Sequence, residues 1–188
     1  KIIDDYAFVR CSSLKQVIIP PSVTKIGDSV FKGCSSLEQI NIPSTLTQIG
    51  KSAFSECSSL TQISIPSSLT QIEFSVFFDC PSLKKIQIPS SVTEIKSFAF
   101  SRCSSLTEII IPSSVTEIGS YAFFKCSSLT QISIPSSVTQ IGQSAFSDCS
   151  SLSQIEIPSF LNKEEIGFNS KTRISILPKY LEKEKDNK

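Results

Sequence analysis

The residues of this chain best suited to chemistry are its seven cysteines. They stand at Cys11, Cys34, Cys57, Cys80, Cys103, Cys126 and Cys149, every gap being 23 residues. A thiolate can serve as a nucleophile or a soft metal ligand, and paired thiols form disulfides. The spacing argues against all three uses. One cysteine per unit at constant phase puts the thiols in a single line, which cannot surround a metal tetrahedrally, and no C-x-x-C pair occurs. Rungs about 5 Å apart fall within bridging distance, but their Cβ vectors run parallel and an odd count leaves one thiol over. The line reads as a ladder of small apolar side chains under a loop, because free cysteine is among the most buried residue types.

Other chemistry is equally short of parts. The chain has no histidine, which removes Ser-His-Asp and Cys-His catalysis and histidine metal sites. Carboxylates such as Glu38, Glu56, Asp79 and Glu94 are scattered singly, and 6 glycines do not form a phosphate loop. The expectation is no enzyme, no metal and no cofactor.

The elements that carry the cysteines repeat with them. Six complete units run from Cys11 to Asp148, and Cys126 to Ser147 (CSSLTQISIPSSVTQIGQSAFS) is the unit in its plainest form. Such periodicity is the signature of a solenoid, in which stacked neighbours supply the core that no single unit can bury. Within each unit a leucine, then an isoleucine three on, then another two on, give L-x-x-I-x-I, as in Leu129, Ile132 and Ile134. That spacing predicts a strand with one buried face. A proline row from Pro20 to Pro158 ends it, since proline has no N–H for the ladder. A second apolar pair, Val138 with Ile141 in this unit, predicts a short second strand with a threonine row between the pair. Gly27, Gly50, Gly119 and Gly142 follow, but Glu73 and Lys96 take that place in two units. Left-handed backbone is therefore not required there. Each unit closes on Ala-Phe or Val-Phe, a segment long enough only for a helical or 3₁₀ turn. Ser-Ser pairs such as Ser58-Ser59 are expected to satisfy turn backbone locally.

The full unit, CSSLxxIxIPSSVTxIGxxAFxxC, resembles the BspA-like class of leucine-rich repeats over roughly residues 3 to 158. The resemblance implies a right-handed curved solenoid, mainly β, with a parallel sheet on the concave side. It also implies a role in adhesion or host-protein recognition, often at the cell surface, and brings no catalytic residues. Glu73 and Lys96 are local departures from the pattern.

On this reading residues 1–158 form the array, with a partial first unit whose edge is open. The pattern fails after Pro158: Phe160 replaces serine, Glu164 falls where isoleucine belongs, and Ile166 and Gly167 resume two residues late. Residues 159–178 are expected to be a degenerate C-terminal cap, with RISILP (Arg173 to Pro178) as a last strand arriving early, and 179–188 a charged, frayed tail. The chain begins without Met partway through a unit, as a fragment would, and no apolar run approaches the roughly 18 residues of a membrane span. Residues 162 to 188 hold 7 basic and 5 acidic side chains, leaving the body with 11 and 12. A nearly neutral body lacks the basic stripe that nucleic acid or an anionic membrane would need.

What remains is surface. On the concave sheet the positions alternating with buried isoleucines face outward, and Lys85, Gln87, Glu108, Ile110 and Gln131 are the candidate contacts there. A second candidate is aromatic. Phe74, Phe78, Phe98, Tyr121 and Phe124 stand where other units hold serine or charge, in three consecutive units. Stacking would gather them into an apolar patch of the kind that marks association surfaces. The competing view has them folding over the convex side to fill gaps left by Glu73 and Lys96. The leading expectation is a non-catalytic adhesion module that binds host matrix or cell-surface proteins. The alternatives are an intracellular scaffold, whose reducing cytosol suits unbridged thiols, and a carbohydrate-binding face of Gln, Ser and Thr. A homodimer through the aromatic patch or the open N-terminal edge is a further reading.

Overall fold

A computed structural model describes residues 1–161, 166–168 and 170–177. It is a parallel β-solenoid of short strands joined by turns, with almost no helix. The expected frayed tail and the Glu164 position lie outside the described residues.

Two strand rows run along the array. The L-x-x-I-x-I row gives β2 (Gln16–Ile18), β4 (Gln39–Asn41), β6 (Gln62–Ser64), β8 (Lys85–Gln87), β11 (Gln131–Ser133), β13 (Gln154–Pro158) and β14 (Arg173–Leu177). The other row gives β1 (Ile2–Ile3), β3 (Lys25–Ile26), β5 (Gln48–Ile49), β7 (Gln71–Ile72), β9 (Glu94–Ile95), β10 (Glu117–Ile118) and β12 (Gln140–Ile141). Every pairing is parallel, and within the array partners lie one unit apart, as in Ile63↔Ile86 and Ile118↔Ile141. β14 arrives early, with Arg173 opposite Gln154 and Leu177 opposite Pro158.

The core is the set of apolar rows. Phe31, Phe54, Phe77, Phe100, Phe123 and Phe146 are buried, with successive rings stacked between 5.2 Å (Phe123–Phe146) and 5.8 Å (Phe54–Phe77) apart. Phe168 continues the stack beneath Phe146 at 6.0 Å. Each such ring contributes roughly 1.5–3 kcal/mol by leaving water. The second-strand pairs, such as Val115 and Ile118, are buried in this same core. The first unit is barer: Ile2, Tyr6, Phe8 and Val9 are exposed.

The polar rows bond between units more than within them. Ser58 Oγ donates to the Ser35 carbonyl at 3.2 Å and Ser127 Oγ to that of Ser104 at 3.4 Å, one unit back in both cases. Thr93, Thr116 and Thr139 donate from both N–H and Oγ1 to the carbonyl of the preceding unit's threonine. The Ser-Ser pairs thus do more than the local turn bonding expected of them, because the nearest free carbonyls belong to the neighbouring rung.

The closing segment makes turns rather than a helix, for a backbone reason. Two residues per unit take positive φ: one row is Ser29, Ser52, Ser75, Phe98, Tyr121 and Ser144, the other Glu56, Asp79, Arg102, Lys125 and Asp148, with Gly33 at φ 72°. Both rows interrupt α geometry. The glycine row, by contrast, is spared positive φ, as Glu73 and Lys96 imply. Its need is space. A Cβ on Gly50 would lie 2.4 Å from the Gly27 carbonyl carbon, and one on Gly142 2.3 Å from the Ser120 nitrogen.

Glu73 and Lys96 both put a side chain in that row, and of the two it is at Glu73 that the ladder opens. β5 does not pair with β7, nor β4 with β6, so both strand rows are interrupted at the same junction. Among the described residues the Thr70 N–H lacks the bond to Thr47 that Thr93 and Thr116 make to their own neighbours. The Glu73 carboxylate accepts instead from Gln71 Nε2 and from the Phe74 N–H at 3.3 Å. The closing segments still bridge the junction through Ser52 N–H to Phe74 O at 2.9 Å, Phe54 to Val76 at 3.0 Å and Glu56 to Phe78 at 2.7 Å. The ladder resumes at once, with the Lys96 N–H on the Ile72 carbonyl at 2.9 Å.

Candidate binding faces

The outer face of the L-x-x-I-x-I sheet is polar because of its alternation. Each three-residue strand from β4 to β11 has an exposed, buried, exposed pattern, the buried isoleucine flanked by outward side chains. The face is hollowed. One depression of about 580 Å³ runs from Gln16 across Gln39, Gln62 and Lys85 to Glu108. A second, of about 440 Å³, runs from Glu108 across Gln131 to Gln154. All five expected contacts, Lys85, Gln87, Glu108, Ile110 and Gln131, line one or the other. Ile110 is 72% exposed between the two, beside a second interruption of this sheet, where Glu108 bridges Lys85 but does not pair with Gln131.

The aromatic residues form one connected set, with a satellite. Phe98 and Tyr121 stack with centroids 5.0 Å apart and planes within 9°. Phe74 meets Phe98 edge-on at 5.8 Å, and Phe124 meets Tyr121 edge-on at 5.7 Å. Phe78 stands apart under the Arg102 guanidinium, 5.6 Å from its ring centroid, while Lys125 Nζ lies 5.1 Å over Phe124. Phe74 is 43% exposed and the other four are half-buried. Phe98 and Tyr121 hold left-handed backbone, φ 60° and 57°, where other units place serine. For a bulky side chain that conformation costs on the order of 1 kcal/mol.

Arg102 and Lys125 were missed by the sequence reading. They occupy the left-handed row immediately before the cysteines and share a hollow of about 500 Å³ with Asp79 and Asp148. Comparison of that row from unit to unit would have found them, since its charge changes sign twice: Glu56, Asp79, then Arg102 and Lys125, then Asp148.

The thiols are spoken for. Cys57, Cys80, Cys103, Cys126 and Cys149 each donate to the phenylalanine carbonyl 26 residues earlier, at 3.0 to 3.2 Å. Burial holds these thiols well above the usual range, Cys149 reaching about 12. A thiol held in that state is a poor nucleophile and a poor ligand. Among the described residues no group of three or more His, Cys, Asp or Glu could hold a metal ion. No helix among them is long and apolar enough to cross a membrane.

Comparison with known proteins agrees with this geometry. The sequence matches the BspA type leucine rich repeat region in six copies, over residues 1–104 and 70–177. The chain therefore belongs to the BspA type leucine-rich repeat family, a family of protein-interaction repeat modules. A leucine-rich repeat protein of T. pallidum superimposes with a TM-score of 0.77 at 36% identity, over 80% of this chain and 71% of that one. One from Eubacterium ventriosum gives 0.75 at 29%, over 87% of this chain but 43% of that one. A protein of Faecalibacterium prausnitzii described as a leucine rich cell surface protein gives 0.62 at 27%, over 94% of this chain and 63% of that one. A comparison with curated protein sequences gave no match.

Proposed function

We propose that this chain is a non-catalytic recognition segment of a surface-displayed protein, binding host matrix or cell-surface proteins. The observation that carries the reading is the array itself. It holds a hollowed polar sheet and, separately, an aromatic strip, with six of its seven thiols buried and its carboxylates dispersed. Surface display is supported by likeness to the F. prausnitzii cell surface protein. Affinity on such a face comes from a few anchoring side chains amid many near-neutral contacts, and Ile18 and Ile110 are exposed apolar residues placed to anchor on the sheet.

The test is binding of the purified chain to a panel of matrix and cell-surface proteins, with two variants alongside. Gln87→Ala with Ile110→Ser probes the sheet; Phe98→Ser with Tyr121→Ser probes the aromatic strip. Loss in one variant assigns the face. A chain that binds nothing in the panel but retains glycans in the hollow lined by Gln39, Asn41 and Gln62 would favour the carbohydrate alternative.

A further inference from the structure

We propose that the aromatic strip of Phe98, Tyr121 and Phe124, with Arg102 and Lys125 beside it, docks a protein segment that combines apolar and acidic side chains. The proposal deepens the protein-binding reading above and rests on it.

Ring geometry selects the class of partner. A sugar stacks on an open ring face. Phe98 and Tyr121 turn a face to each other at 5.0 Å, and Phe124 and Phe78 already carry a cation over theirs. With those inner faces closed and Phe74 and Phe124 set edge-on to the pair, the rims are what we infer a partner to meet. Aromatic rims are the positive part of the ring quadrupole and suit carboxylate and carbonyl oxygens, while the apolar area suits aliphatic and aromatic side chains. Both are features of a peptide.

Charge selects the sign. The two closing segments that hold this strip, 96–102 and 119–125, carry Lys96, Arg102 and Lys125 and no acidic residue. Lys96 is paired with Glu94. Arg102 and Lys125 are exposed, and among the described residues neither forms an ion pair. Asp79 and Asp148 lie at the outer ends of the hollow that holds the two cations. A partner carboxylate at its centre would thus meet positive charge, and one displaced along the array would meet repulsion, which fixes register as well as sign.

The experiment uses the whole chain and synthetic peptides. One peptide alternates glutamate with leucine and phenylalanine; its counterpart has glutamine for every glutamate. A heparin fragment and vesicles containing phosphatidylserine are run beside them. The acidic peptide is expected to bind saturably, about tenfold more tightly than the amide peptide, and to weaken with salt. Arg102→Gln with Lys125→Gln should abolish that tenfold preference. Phe98→Ser with Tyr121→Ser should weaken both peptides about thirtyfold. The charge variant changes only exposed side chains, so it reports even where the aromatic one fails to fold. Equal binding of the two peptides, or an acidic peptide indifferent to the charge variant, overturns the proposal. So does binding of heparin or vesicles without the peptide. Should the chain capture a panel protein that the acidic peptide does not displace, the protein-binding reading survives and this inference falls.

Discussion

Cys103 and Phe77 are joined across a unit boundary: the Cys103 thiol donates to the Phe77 carbonyl oxygen at 3.2 Å, and both residues are buried. The same bond recurs up the ladder, and only Cys11 is exposed. Titration of the folded chain with a chromogenic disulfide should consume the Cys11 thiol promptly and the other six only on unfolding. Prompt reaction of several thiols at neutral pH would show that the ladder is not closed in solution.

The ladder also sets a limit at high pH. Burial raises the Cys149 thiol from an ordinary 9.0 to about 12, and holds Cys80, Cys103 and Cys126 well above 9.0. Between those values the folded chain keeps protons that the unfolded chain has released. The stability involved is whole below pH 9.0 and is lost as pH climbs through the folded values, by about 1.4 kcal/mol per pH unit per thiol. Melting temperature measured from about pH 8 to 11 should fall steeply above 9, and less steeply in Cys126→Ala. A flat profile in the parent chain would contradict the burial.

Glu73→Gly should close the open junction. Recovery of the Thr70 and Glu73 backbone bonds contributes about 1 kcal/mol each, and the entropy of the added glycine takes back about 0.5–1 kcal/mol. The sharper readout is amide exchange. In the parent chain Thr70 should exchange faster than Thr93 and Thr116; in the variant the three should converge. Unchanged exchange would mean that the side chain at 73 is not what holds the units apart.

Phe100→Ala removes a fully buried ring stacked on both sides and should cost about 3–5 kcal/mol in chemical denaturation. Phe74→Ser, at a 43% exposed ring, should cost less than about 1 kcal/mol. Comparable losses would place the surface aromatics in the core.

Ser101 is buried, and its Oγ has no hydrogen-bond partner. Leaving a hydroxyl unsatisfied costs about 1–3 kcal/mol, so Ser101→Ala is expected to raise the melting temperature. A fall would point to a bound water completing the hydroxyl.

Much of the fold was legible because the core rows announce themselves. Leucine, isoleucine and phenylalanine recur at fixed phase, and Pro135 or Pro158 marks where a strand must stop. What stayed hidden depends on residues 23 apart becoming neighbours. The glycine row is needed for room against the next unit's backbone, which Gly50 shows only once Gly27 lies beneath it. The left-handed rows were invisible because Ser52, Phe98 and Asp79 fill them instead of glycine. The aromatic strip was legible as a set of exceptions. The cations beside it were not, since Arg102 and Lys125 look like ordinary surface charge until the turns bring them over Phe78 and Phe124.

The junction at Glu73 also bears on how the array carries force. Successive units are linked in series, so a tether pulling on the two ends loads every boundary equally. The boundary that lacks its strand bonds holds by the closing segments and a few turn bonds such as Ser58 to Ser35 and Ser68 to Leu46, and should yield before its neighbours, with residues ahead of it swinging away as one block. A protein that gives at a chosen seam can lengthen under shear without unravelling, and the aromatic strip, lying beyond the seam, would keep its shape while it does.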